Sequence, residues 1–306
     1  MSMNRRGFLV GSAALAVTAC RTASSKPVKT IAITMDDFNL GFDIRLDSLA
    51  RNQAILDAFA AHNHKAAGFV TGQFIESDVG RAVVQSWASA GHMLGNHTYT
   101  HMNSSDEPVD IIKADILKNH AAMKGYAGYQ PYFRFPYLAE GGTMDKVNDY
   151  RAFMDANGFK NAPVTIDSID WYTTDRLEKR LKSDPNTDTS SYGDYYVKAV
   201  LEIAQYKHDL AVRLGYPDMP HSLLMHHNIL NGLYLRDVMD ALVADGWQFI
   251  DAETMLTHPV YNLRPNIPNR GRSVLSVLAQ ERGVADQGFP KAYHGFGKDT
   301  MDALGL

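Results

Sequence analysis

Two aspartates, Asp36 and Asp37, close the apolar run Thr30-Ile31-Ala32-Ile33-Thr34-Met35, and two histidines stand four residues apart in Gly95-Asn96-His97-Thr98-Tyr99-Thr100-His101. On one helical turn that spacing puts both imidazoles on the same face. Two imidazoles and one carboxylate can hold zinc or a similar cation and leave positions open for water and substrate, as a catalytic rather than a structural site requires. Adjacent carboxylates at a strand end are costly unless their roles divide. If the cation takes Asp37, Asp36 is left as a general base toward a water. Each feature alone also has a plain reading: histidines four apart arise by chance, and an Asp-Asp turn can simply cap the next helix.

These residues need elements to position them. Thr30 to Met35 reads as a strand, and Leu46 to Ala61 has helical spacing at Leu49, Ile55, Leu56 and Phe59. The alternation continues with strands at 67–70, 92–95, 132–134 and 162–166 and helices at 83–90, 109–124 and 144–157. A mostly helical insertion over 175–222 precedes a strand at 222–225, a helix at 236–244 and a strand at 247–250. Strand-then-helix alternation predicts a parallel sheet with crossover helices, an open α/β sheet or a barrel. In such folds the site lies at the carboxyl ends of the strands. Four polar clusters fall there: Asp36-Asp37, His97 to His101, Arg134 to Tyr137, and His226-His227.

Read together, these stretches resemble the polysaccharide deacetylases, a carbohydrate esterase family with five short motifs in fixed order. Thr34-Met35-Asp36-Asp37 is similar to the first motif, His97 to His101 to the second, Arg134-Phe135-Pro136-Tyr137 to the third, Asp170-Trp171 to the fourth, and Leu224-Met225-His226 to the fifth. The resemblance covers roughly residues 29–252 and implies an α/β fold, a distorted (β/α) barrel of the polysaccharide deacetylase type, here with a helical insertion and a C-terminal extension. It implies Asp37, His97 and His101 as ligands of a divalent metal, Zn2+ first, with Co2+ and others compatible. It makes Asp36 the base, with Arg134 aiming it, and His226 the general acid, charged by Asp170, and has Tyr137 offer its backbone N–H to an oxyanion. Trp171, Leu224 and Pro136 would meet substrate. Phe38 stands where family members usually continue with glycine, so it is expected to crowd the loop beside the metal. His227, where family members often have Asp, is expected to line the cleft or share the proton duty.

The implied reaction removes acetyl groups from an N-acetylated, or O-acetylated, carbohydrate of the cell envelope or environment. The alternative on the same fold is a C–N hydrolase of a small cyclic amide or formamido sugar. A non-enzymatic carbohydrate-binding remnant would have lost Asp36 or a metal ligand, and this sequence keeps them all.

At the N-terminus, Asn4-Arg5-Arg6-Gly7-Phe8-Leu9 places two arginines before an uncharged stretch, Gly7 to Ala19, the layout of a twin-arginine export signal. That stretch is too short for a permanent membrane span. It ends in Val17-Thr18-Ala19-Cys20, similar to the box where bacterial lipoproteins are cleaved and lipidated, and Cys20 is the chain's only cysteine. The expectation is an exported protein, periplasmic or envelope-anchored, with membrane attachment through a lipidated Cys20; a plain cleaved signal with an incidental cysteine is the alternative. The organisation is then 1–20 export signal, 21–28 tether, 29–256 catalytic domain and 257–306 extension. The extension carries Tyr261, Arg264, Tyr293 and His294 as candidates for closing one end of the cleft. Removing residues 1–19 takes away two arginines and no acid, leaving 28 basic against 34 acidic side chains, a net charge of −6. With no basic excess, nucleic acid is excluded as a natural partner. No sequence feature bears on oligomeric state.

Overall fold

A computed structural model describes residues 28–285 and 288–306. The expected export signal with Cys20, and the tether through Pro27, lie outside the described residues. Among the described residues, no helix is long and apolar enough to cross a membrane.

In chain order the elements are β1 (Thr30–Asp37), α1 (Ser48–Ala61), β2 (Ala67–Val70), α2 (Asp78–Ser89), β3 (Met93–Asn96), α3 (Val109–Met123), β4 (Tyr129–Phe133), α4 (Met144–Asn157) and β5 (Lys160–Asn161). They continue with β6 (Ile166–Asp167), α5 (Asp170–Ser183), α6 (Ser190–Arg213), β7 (His221–His226), α7 (Ile229–Ala244), β8 (Gln248–Phe249), α8 (Ala252–Leu256), α9 (Val274–Glu281) and α10 (Lys298–Leu304). The strands pair in parallel in the order β5-β4-β3-β2-β1-β7-β6, and β8 pairs with the start of β1. Of the stretch 162–166, expected as one strand, residues 162–165 instead separate β5 from β6, which sit at opposite edges of the sheet. Four residues, 162–165, span those edges, a reach of at most roughly 18 Å. The sheet must therefore curl into a half-barrel with helices around it, the distorted (β/α) barrel.

Side-chain alternation sorts the two faces of this curled sheet. Ile31, Ile33 and Met35 point outward, with Leu223 and Met225, into a large cluster with Ile55 and Phe59 of α1 and Leu235 and Met239 of α7. Thr34 and Asp36 of β1, and Ser222, Leu224 and His226 of β7, take the inner face. Ala32, Ala67 and Phe69 on that face are covered by Met255, Tyr261, Leu275 and Leu278 of the C-terminal region. Helix starts follow their caps and precede the expected boundaries: the Ser77 side chain accepts from the Gly80 N–H ahead of α2, and that of Asn228 from the Asn231 N–H ahead of α7.

Candidate active site

The loop after β3 carries His97 and His101. It is not the expected helical turn: Thr98 and His101 have φ of 62° and 60°, a left-handed backbone in which the chain doubles back. The buried Asp115 of α3 fixes it, its Oδ2 accepting from the Tyr99 N–H (2.8 Å), the Thr100 N–H (2.9 Å) and the Thr100 hydroxyl (3.1 Å). The imidazoles meet with ring centroids 5.0 Å apart, and both present Nε2 to Asp37 Oδ1, at 3.3 Å from His97 and 2.9 Å from His101. His97 Nδ1 lies 2.9 Å from the Arg134 carbonyl; donating its proton there leaves the Nε2 lone pair facing Asp37. One ligand atom from each of the three residues fits within 4.8 Å of the others. Asp37 Oδ1 is buried and accepts no hydrogen bond of ordinary geometry. A converging pair of imidazole lone pairs around an orphaned carboxylate oxygen fits a divalent cation.

Asp36, one residue earlier on the inner face, is 2% exposed. Arg134 reaches it from the end of β4, with Nη1 2.7 Å from Asp36 Oδ1 and 2.7 Å from Thr34 Oγ1. The guanidinium is held further by the Ala162 carbonyl (3.0 Å) and by the Phe69 ring, whose centroid lies 4.0 Å away. Asp36 Oδ2 accepts no hydrogen bond among the described residues and faces His97 Nε2 at 3.7 Å.

Across the cleft, His226 ends β7. Its Nδ1–H donates to Asp170 Oδ1 at 2.8 Å, and its backbone N–H to Asp170 Oδ2 at 2.8 Å. Asn228 (2.9 Å), Asn231 (2.8 Å) and Ser168 (3.2 Å) also donate to this carboxylate. Burial opposes a charge on His226, but Asp170 overrides it, with help from Asp37 and Asp36, and the imidazole is pushed up to about 10. Nε2 is left for the cleft.

The cleft between these groups has a volume of about 750 Å³ and brings together Asp36, Asp37, His97, His101, Tyr137, Trp171, Leu224, His226 and His227. Two expected substrate contacts do not reach it. Phe38 is fully buried, its ring edge-on to Trp87 (4.9 Å) and stacked on His227 (5.2 Å), in space that a Cβ on Gly68 would occupy. Pro136 is buried too, and Leu138 faces the cleft instead. His227 lines the cleft but is a poor proton donor: burial, and Arg51 nearby, push it down to about 3. In the C-terminal region Tyr261 is buried and donates to the Pro220 carbonyl, Tyr293 is buried, and Arg264 pairs with Asp155 on the surface. Arg270, Gly271 and Phe296 are the residues of that region that reach the cleft.

The sequence reading also missed Asp167, a cleft carboxyl raised by burial; its place at a strand end, three residues before Asp170, was the available signal. Of the ten non-glycine residues with left-handed φ among those described, all but Arg45 and Asn63 sit in loops that carry or border this site: Asp37, Phe38, Thr98, His101, Tyr137, Leu138, Ile169 and Phe296. Such strain concentrates where a fold holds side chains for chemistry.

Residues 23–153 match the family model described as Polysaccharide deacetylase. Over 142 residues, 46% of this chain and 46% of the relative, the sequence is 32% identical to a peptidoglycan-N-acetylglucosamine deacetylase of Bacillus cereus. Over 116 residues, 38% of this chain and 23% of the relative, it is 30% identical to a peptidoglycan-N-acetylglucosamine deacetylase of Listeria monocytogenes. The chain thus spans less than half the length of these curated relatives. Among solved structures, the fold is similar to a peptidoglycan N-acetylglucosamine deacetylase in complex with an N-oxidanyl-benzamide (TM-score 0.52, 23% identity, 74% of this chain and 87% of that one). It is also similar to the esterase domain of a multidomain xylanase from the hindgut metagenome of Trinervitermes trinervoides (TM-score 0.53, 17% identity, 81% and 98%).

Proposed function

We propose that this chain, which belongs to the polysaccharide deacetylase family, hydrolyses acetyl groups from an N-acetylated carbohydrate, with O-acetylated glycans as the second substrate class. The observation that carries the proposal is the placing of Asp36 and His226 in one cleft beside the Asp37, His97 and His101 cluster, each backed by a buried partner of opposite charge.

A divalent cation held by Asp37, His97 and His101, Zn2+ first and Co2+ next, would supply polarisation of the acetyl carbonyl and a lowered pKa for water. Asp36 takes a proton from the attacking water through its free Oδ2, while Arg134 holds the other oxygen and so fixes the direction of the transfer. The water oxygen bonds to the carbonyl carbon, and the Tyr137 backbone N–H is offered to the oxyanion. His226 gives its Nε2 proton to the sugar nitrogen as the C–N bond breaks, and acetate and a free amine leave. Trp171, Leu224 and Leu138 form the walls. The names of the curated relatives support an envelope polymer containing N-acetylglucosamine as substrate and an exported protein. In this reading residues 29–256 are the catalytic domain and 257–306 its extension.

The test is acetate release by purified protein from a panel of N- and O-acetylated glycans, zinc supplied, beside Asp36→Asn. Acetate from the wild type, falling about 10²- to 10⁴-fold in the variant, is the expected result. Zinc binding without acetate from any glycan would overturn the substrate, and an unimpaired variant would overturn the base.

A further inference from the structure

Phe296 lies in the C-terminal region, outside the stretch that the family model matches. It has φ 62° and ψ 19°, between Gly295 at φ 55° and Gly297 at φ 81°. The two glycines adopt that backbone freely, whereas a bulky side chain there is a real outlier. Core burial does not compensate, because Phe296 is 48% exposed. Nor is the segment loose. Gly297 lies so close to α6 that a Cβ would collide with the Tyr195 hydroxyl. Tyr293 and Met301 are buried, and Thr300 Oγ1 donates to the Ala292 carbonyl at 2.8 Å. Arg176 pairs with Asp302 at 2.6 Å, and Arg180 donates to the Gly305 carbonyl at 2.8 Å. Both arginines belong to α5, the helix that begins with Asp170 and Trp171, so the segment is referenced to the acid side of the site.

What this strained backbone displays is an aromatic corner. The Phe296 ring stands edge-on to Trp171, centroids 4.7 Å apart at 67°, and Trp171 is itself 41% exposed. Tyr172 backs both rings, 5.7 Å from Trp171 and 6.1 Å from Phe296. The same cleft presents polar groups on Asp175, Glu178, Lys182 and Arg270. An exposed apolar corner beside hydroxyl-binding side chains matches a pyranose ring, which has an apolar C–H face and a polar rim.

We propose that Phe296 is a substrate-binding residue: with Trp171 it forms a corner on which a pyranose ring of the glycan stacks, bringing the acetyl group toward Asp36 and His226. The proposal rests on the carbohydrate reading above. The test is calorimetric binding of tetra-N-acetylchitotetraose to the zinc-loaded wild type, Phe296→Gly and Phe296→Tyr, with thermal melting and acetate release followed in parallel. Phe296→Gly removes the ring and the strain together, so its melting temperature should not fall while its Kd weakens about tenfold; Phe296→Tyr keeps the ring and should bind within about twofold of wild type. Unchanged affinity in Phe296→Gly overturns the proposal, as does a wild type that does not bind the tetramer. So does a lowered melting temperature in Phe296→Gly with no loss of affinity, which marks a structural role. A wild type that binds the tetramer but releases no acetate refutes the deacetylase reading alone, and the affinities still decide the stacking.

Discussion

Asp36 and Asp170 are buried to nearly the same extent, 2% and 1% exposed, yet the fold equips them oppositely. Asp170 receives five hydrogen bonds, two of them from His226, and every direction of approach to its carboxylate is taken. Asp36 receives one, from Arg134, and keeps Oδ2 free toward the cluster of Asp37, His97 and His101. Burial and residue type therefore do not separate their roles; the unused lone pair does. In the proposed reaction a saturated carboxylate can only set the charge of its neighbour, whereas a carboxylate anchored on one side can still accept a proton.

The largest effect is expected from Asp170→Asn. Without the anion, His226 falls from about 10 back toward its ordinary value, so acetate release should drop about 10²- to 10⁴-fold. The alkaline limb of the pH profile should move to lower pH by roughly 1–3 units. The sign also holds for folding: a raised imidazole contributes stability below its unfolded value, which is lost as pH rises through about 10. An unmoved limb would show that Asp170 does not set the charge of His226. Next in size, Arg134→Lys keeps a cation near Asp36 but loses the forked contact to Thr34 and Asp36, for about a 10- to 100-fold loss in rate; because it acts on the base side alone, the alkaline limb should stay in place. Asp115→Asn should weaken zinc binding about tenfold by titration calorimetry, since it loosens the loop of His97 and His101. Smallest in its effect on catalysis is Phe38→Leu, which should lower stability by about 1 kcal/mol and leave KM unchanged, because the ring faces Trp87 and not the cleft. A raised KM would return Phe38 to the substrate wall.

The placement of the groups singled out by residue type and strand-end position was legible in the sequence: Asp36, Asp37, His97, His101, Arg134, Asp170 and His226 all converge on one cleft or stand directly behind it. What misled was local geometry. A four-residue histidine spacing suggests a helical turn, but Thr98 and His101 adopt left-handed backbone that only Asp115, fourteen residues past His101, explains. Phe38 and Pro136 are placed near substrate by the resemblance, yet they are buried away from the cleft, which Asp37, Tyr137 and Leu138 line instead, in left-handed turns that motif position does not reveal. No periodicity marks Asp167 or Phe296, and for Asp167 the strand-end position was the one signal. The first ends a strand of only two residues, too short to show alternation, and the second depends on a segment that docks onto α5 and α6 only in the folded chain.

The strand order has a consequence in time. Asp37, His97 and His101 are all made within the first third of the chain, but β1, which carries Asp37, has β7 as its neighbour on one side, paired from Ile31↔His221 to Asp36↔His226. During synthesis at about 5–20 residues per second, the 125 residues from Met102 through His226 take roughly 6–25 s to emerge. Through that interval the proposed metal ligands exist without the proposed acid, and the central strand presents an unpaired flank to whatever else it meets. Closure of the sheet by β7 thus completes the chemistry and ends the exposure in a single event.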